Sequence, residues 1–74
     1  MDDTDAVETL TRFGLTTYEA RVFLGLQKLG NGTASDVAEV TDVPRSQVYG
    51  AAESLEERRL LRALQTRPTV YEPI

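Results

Sequence analysis

The chain has 74 residues, 8 basic against 12 acidic, for a net charge of −4. A chain of this length hides only about 60% of its unfolded surface, so it forms one small domain of marginal stability unless a partner helps, and a multi-substrate enzyme is not expected. The absence of cysteine, histidine and tryptophan excludes disulfides, thiolate and imidazole metal ligands, cysteine nucleophiles and the usual proton shuttle near pH 7.

The apolar content of 41% suits a globular core. Apolar runs are only a few residues long, so neither a membrane span nor a signal peptide is expected and the protein reads as soluble and cytoplasmic. Charge is unevenly spread. Met1 to Asp42 carries three basic against eight acidic residues, while Val43 to Ile74 carries five arginines against four glutamates. An anionic partner would therefore meet the C-terminal half.

Asp5 and Glu8 have the spacing of a capping box, and Val7, Leu10 and Phe13 follow at helical intervals. They predict a leading helix over about 5–13, closed by a left-handed cap at Gly14 with Leu15 folding back on Leu10. Thr16 and Glu19 repeat the device and predict a helix over 16–29, with Tyr18, Val22, Leu26 and Leu29 as its buried stripe, widened by Phe23 and Leu24. Gly30 stops it.

Asn31-Gly32 signals a turn, and Thr33 with Asp36 caps a short helix over about 34–41, whose inward residues are Val37, Ala38 and Val40 or Thr41. Val43, preceding a proline, is biased away from helical angles. Pro44 then takes the first helical position of a helix running to about Arg58. Leu60 to Leu64 and Thr69 to Glu72 are strand-like around a polar tip, Gln65 to Pro68, which predicts a hairpin within 60–73. The fold class is mainly α with a small β-hairpin wing.

The pair of short helices over 33–58, broken at Asp42 to Pro44, has the outline of a helix-turn-helix, whose second helix enters the DNA major groove. Asp42 stands where the turn needs a left-handed residue, a conformation Asp tolerates. On a helical wheel Val48, Ala51, Ala52 and Leu55 form the core face of the second helix. Ser46, Gly50, Glu53 and Glu57 lie opposite, flanked by Arg45, Gln47 and Tyr49. Recognition helices touch bases with their N-terminal residues, and those here are free of acid.

Arginine pairs bidentately with guanine and glutamine with adenine, serine meets bases or phosphate, and tyrosine meets phosphate or a thymine methyl. Arg45, Ser46, Gln47 and Tyr49 are therefore the candidate DNA contacts. Gly50 costs about 1 kcal/mol relative to alanine in mid-helix. It either lets the backbone approach the groove or is a neutral surface residue. Arg45 could instead pair with Asp42, Gln47 could be solvated, and Tyr49 could lie half-buried beside the hairpin. Arg67 at the hairpin tip fits a minor groove or a phosphate, or is a solvated loop charge. Thr33 and Ser35, at a helix N-terminus, either hold a phosphate or only cap.

Leu15, Thr16, Tyr18, Glu19 and Ala20, then Val43-Pro44-Arg45-Ser46 with Val48-Tyr49, then Leu55-Glu56-Glu57, resemble the N-terminal winged-helix domain of the TrmB family of archaeal transcriptional regulators, over about Phe13 to Tyr71. The resemblance implies promoter binding, usually as a dimer, through Arg45, Ser46, Gln47 and Tyr49. In the family a glycine commonly stands at the position of Arg59, and the wing is often more basic than Thr69-Val70. The family's regulators usually continue into a sugar-binding effector domain, which is absent from a chain that stops at Ile74. The acidic composition, with a pI near 4.6 and a single lysine, is similar to haloarchaeal usage.

The expected partners are double-stranded DNA and a second copy of the chain, docked through Val7, Leu10 and Phe13 of the leading helix. No cofactor or metal is expected. The competing reading is a winged-helix protein-interaction module, suited by Glu53 and Glu57. A carboxylate-pair hydrolase built on Glu53 with Glu56 or Glu57 ranks last, because solvated helix charge explains those residues.

Overall fold

The computed structural model describes residues 4–74. Helices α1 (Thr4–Arg12) and α2 (Thr17–Leu29), strand β1 (Gly32–Thr33), helices α3 (Ala34–Thr41) and α4 (Arg45–Glu57), and strands β2 (Leu61–Leu64) and β3 (Val70–Pro73) follow in order. The three strands form an antiparallel sheet in the order β1-β3-β2.

Local chemistry explains most boundaries. The Glu19 N–H donates to Thr16 Oγ1 at 3.1 Å, and Glu19 Oε1 accepts the Thr16 N–H at 2.7 Å. Thr33 and Asp36 repeat this reciprocal box at 3.2 and 3.0 Å. Each satisfies two amides that the helix start leaves orphaned, and each cap is worth about 1 kcal/mol. At α1 the expectation needs correcting. The helix already includes Thr4, so Asp5 lies in its first turn, where it favours the positive end of the helix dipole instead of capping.

Gly14 takes φ +98° and the Leu15 N–H reaches back to the Leu10 carbonyl at 3.3 Å, closing α1 as the sequence predicts. Asp42 adopts φ 60°, ψ 14°, with its N–H on the Ala38 carbonyl at 3.1 Å. Thr41 Oγ1 donates to the Val37 carbonyl at 2.6 Å and accepts the Val43 N–H at 3.2 Å. These bonds tie down the turn of the helix-turn-helix. Pro44 is extended, with φ −55° and ψ 136°, and serves as the N-cap of α4 rather than as its first helical residue. Its carbonyl accepts from Gln47 and Val48.

The core gathers Val22 and Leu26 from α2, Val37 from α3, Val48, Ala52 and Leu55 from α4, and Leu61 and Tyr71 from the wing. The α2 stripe is narrower than predicted. Tyr18 and Leu29 are 40% and 39% exposed, because the first and last turns of α2 project past the bodies packed on its middle. On α3 it is Thr41 that turns inward, while Val40 is exposed. Gly25 is buried where α2 meets α3, and a Cβ added there would collide with Thr41 Cγ2. Its missing side chain lets the two helices cross closely.

The wing starts one residue later than predicted, at Leu61, and its pairing with β3 runs from Leu61↔Pro73 to Leu64↔Val70. The other edge of β3 pairs with Gly32 and Thr33, opposite Tyr71 and Val70. The sequence presents those two residues as a turn and a cap. Two residues are too few to show alternation, and only the return of β3 beside them makes them a strand. Arg59 has φ 62°, so the α4 exit is left-handed with an arginine where glycine is the ordinary choice.

Candidate nucleic-acid interface

The first two turns of α4 present Arg45, Ser46, Gln47, Tyr49 and Gly50 to solvent, while Val48, Ala51, Ala52 and Leu55 are buried. The one helix therefore separates a polar, acid-free outer surface from a core face, as its wheel predicts. Arg45 does not pair with Asp42. Its Nη1 donates to Ser35 Oγ at 3.3 Å, which joins the starts of α3 and α4 into one surface.

Thr33 is placed differently from Ser35. It is half-buried, paired in β1 with Val70, and its hydroxyl accepts the Asp36 N–H. The Asp36 carboxylate returns to the Thr33 N–H, so the N-terminal amides of α3 already face a negative charge. Capping accounts for Thr33. Ser35 is exposed.

Beyond its chain neighbours and its own helix backbone, Gly50 has no heavy atom within 4 Å of the Cβ it lacks. With Gln47 and Ala51 it lines a shallow groove of about 480 Å³, whose opposite wall is Thr16, Thr17 and Tyr18 at the start of α2. Tyr49 is 48% exposed. Burial pushes the Tyr71 hydroxyl above its ordinary pKa, and neighbouring Tyr49, Glu56 and Glu53 add to the shift. Those neighbours mark the side of α4 that looks at the wing.

Arg67 sits exposed in the loop between β2 and β3 and makes no hydrogen bond or ion pair among the described residues. Thr66 ties that loop, its N–H on the Leu64 carbonyl at 2.7 Å and its hydroxyl on the Pro68 carbonyl at 2.8 Å. Arg62 is neutralised across the strands by Glu72. Arg45 and Arg67 are therefore cations at two places, the start of α4 and the tip of the wing. Glu53, Glu56 and Glu57 are exposed, and among the described residues no group of three or more Asp or Glu could hold a metal ion.

Sequence reasoning assigned Glu19 only to a cap and passed over Ser54 and Arg58. Glu19 is 5% exposed. Burial alone would raise its carboxyl. The nearby Ser54 hydroxyl, the Thr16 N–H bonded to it at 2.7 Å, the Thr16 hydroxyl and the Arg58 guanidinium together outweigh burial and hold it below the usual carboxylate value. Ser54 and Arg58, four residues apart, share one flank at the end of α4, and that spacing was the available signal.

Residues 10–74 match the family of the sugar-specific transcriptional regulator TrmB. The chain belongs to the TrmB family. It is 31% identical over all 74 residues to the HTH-type sugar sensing transcriptional regulator TrmBL1 of Pyrococcus furiosus, and covers 22% of that protein. Among solved structures, that of TrmBL2, an archaeal chromatin protein with a novel mode of DNA binding, superposes with a TM-score of 0.91 at 30% identity, covering 99% of this chain and 28% of TrmBL2. BpsR of Bordetella bronchiseptica, whose DNA binding is regulated by 6-hydroxynicotinic acid, aligns with a TM-score of 0.72 at 28% identity over 82% of this chain and 44% of BpsR.

The chain thus spans about a quarter of the length of its TrmB relatives. The fold is a winged helix-turn-helix, and the relatives are transcriptional regulators and DNA-binding proteins, not enzymes. No helix among the described residues is long and apolar enough to cross a membrane.

Proposed function

We propose that this TrmB-family domain binds double-stranded promoter DNA as part of a transcriptional regulator. Helix α4 lies in the major groove and the wing tip at the adjacent backbone or minor groove. The observation that carries this reading is the separation of faces on α4: its acid-free first turns are exposed beside Ser35, and the opposite side is fully used by the core. Arg45, Ser46 and Gln47 read base edges, with Arg45 bidentate on guanine and Gln47 on adenine. Tyr49 contacts phosphate or a thymine methyl. Gly50 brings the helix backbone close to the groove, the exposed Ser35 meets a phosphate while Thr33 only caps, and Arg67 meets a phosphate of the adjacent backbone or enters the minor groove.

The relatives support DNA as the partner, and two-fold operators favour a homodimer joined through α1. Phe13 is 76% exposed at its end, beside half-buried Val7 and Leu10. Sedimentation at tens of micromolar tests the dimer, and a clean monomer refutes it. An acidic, lysine-poor composition is the reason to propose a saline cytoplasm as the setting. Molar salt removes most of the counterion-release contribution there, leaving base contacts and DNA shape to carry affinity.

The test is a titration of selected duplex DNA at several salt concentrations. Arg67→Ala is expected to flatten the salt dependence by about 0.9 in log–log slope, the share of one phosphate contact. Arg45→Ala is expected to cost about 1–3 kcal/mol and to relax base preference at one position. Wild-type protein that retains no duplex, with α4 instead binding a protein, refutes the reading in favour of an interaction module.

A further inference from the structure

Helices α1, α2 and α3 leave between them a cavity of about 260 Å³ that the proposed DNA surface does not use, since none of Arg45, Ser46, Gln47 or Arg67 lines it. Its walls are aliphatic: Val7 of α1, Leu24 of α2 and Val40 of α3. None of the three belongs to the core, and Val40 is 54% exposed, so packing of the fold gives no reason for these apolar side chains. Gly25 lines the cavity as well. A Cβ there would stand 3.6 Å from Val40 Cγ2, and its absence keeps the space beside Val40 open.

Opposite charges reach the same cavity, Glu8 from α1 and Arg21 from α2, and Lys28 adds a second positive charge. Arg21, Leu24 and Gly25 are three and four residues apart and so share one face of α2. Neither the Glu8 carboxylate nor the Arg21 guanidinium makes a hydrogen bond or ion pair among the described residues. On the wing, by contrast, Arg62 and Glu72 close into an ion pair. Glu8 and Arg21 instead stay apart while lining one apolar space.

An apolar pocket with a few placed polar groups is the usual form of a small-molecule site, and a volume just below that of clefts for drug-sized ligands suits a molecule of roughly ten non-hydrogen atoms. Arginine takes a carboxylate bidentately, and an ammonium is the matching partner of a free carboxylate. An ammonium and a carboxylate carried on one carbon are the smallest group that satisfies both. The aliphatic walls call for an aliphatic side chain beside it.

We propose that the cavity between α1, α2 and α3 binds a small aliphatic amino acid, its carboxylate on Arg21, its ammonium on Glu8 and its side chain against Val7, Leu24 and Val40. The site is independent of the DNA-binding reading. Of the three residues assigned to the dimer surface, Val7 lines it and Leu10 and Phe13 do not.

The probe is L-leucine, titrated into the isotopically labelled chain and followed by amide chemical shifts. A ligand of about nine non-hydrogen atoms supports a Kd of about 1 mM or tighter, with saturable shifts centred on Arg21, Leu24, Gly25 and Val40. Isocaproate, which lacks the ammonium, isoamylamine, which lacks the carboxylate, and glycine, which lacks the aliphatic group, are each expected to bind roughly tenfold or more weakly. Any of them binding as tightly as leucine overturns the proposal.

Arg21→Gln should weaken leucine roughly tenfold and leave isoamylamine unchanged, while Glu8→Gln should weaken leucine to a similar degree and leave isocaproate unchanged. Both side chains are exposed, so the variants keep the fold, and the analogue series on wild type tests the assignment without them. Variants that weaken all ligands alike overturn the assigned contacts. Shifts that do not saturate, or that centre on α4 and the wing, overturn the site itself. In each of these outcomes the DNA-binding reading stands, because no duplex enters the measurement.

Discussion

Replacing Gly50 by alanine moves stability and DNA affinity in opposite directions. Gly50 lies in the interior of the 13-residue helix α4, is exposed, and has no heavy atom within 4 Å of the Cβ position beyond its chain neighbours and its own helix backbone. The added methyl therefore meets no steric cost in the free protein, and the full helix-propensity difference of about 1 kcal/mol is gained. For a domain of this size that raises Tm by roughly 4–8 °C. In the proposed complex the same methyl projects from the face that Gln47 and Gly50 share, toward the groove. Displacing the helix from its seat at a cost of about 1.4 kcal/mol weakens binding tenfold. Circular dichroism melting and anisotropy titration of one preparation read both effects. A lower Tm refutes the placement of Gly50 in open space, and unchanged affinity refutes close approach of α4 to DNA at this position.

Gly25→Ala has the reverse consequence for stability. The new Cβ collides with Thr41 Cγ2, and overpacking of about 1–3 kcal/mol outweighs the gain of about 1 kcal/mol in helix propensity; a higher urea midpoint would contradict the close crossing of α2 and α3. Arg59→Gly relieves a left-handed conformation at φ 62° that costs a side-chain-bearing residue about 1–2 kcal/mol, less the entropy glycine adds to the unfolded chain, so a net gain of about 0.5–1 kcal/mol is expected in the same assay. The Glu19 carboxyl is held below its ordinary value of 4.5, so its contribution is complete above that pH and is lost as pH falls through the folded-state value. The stability difference between wild type and Glu19→Gln should therefore shrink on acidification below about pH 4.5, and a difference that grows there would reverse the assigned direction.

The helices were legible because their signals are local. Thr16 with Glu19 and Thr33 with Asp36 mark their caps within four residues, Gly14 and Asp42 supply the left-handed angles at which α1 and α3 end, and Val48, Ala51, Ala52 and Leu55 repeat at helical intervals. The outer face of α4 follows from the same periodicity. What the sequence alone determined is therefore whatever a single turn or a single helix decides, including the candidate contacts Arg45, Ser46 and Gln47. Three features belong to tertiary structure, since each depends on residues far apart in the chain. Strand β1 exists because β3 returns beside Gly32 and Thr33. Gly25 matters because Thr41 crosses over it, and the Glu19 carboxyl is held low because Ser54 and Arg58, from the end of α4 and its cap, come near it. Caps and periodicity are written in neighbouring residues, whereas close approach, strand pairing and the partners of a buried charge arise only when distant segments are packed together.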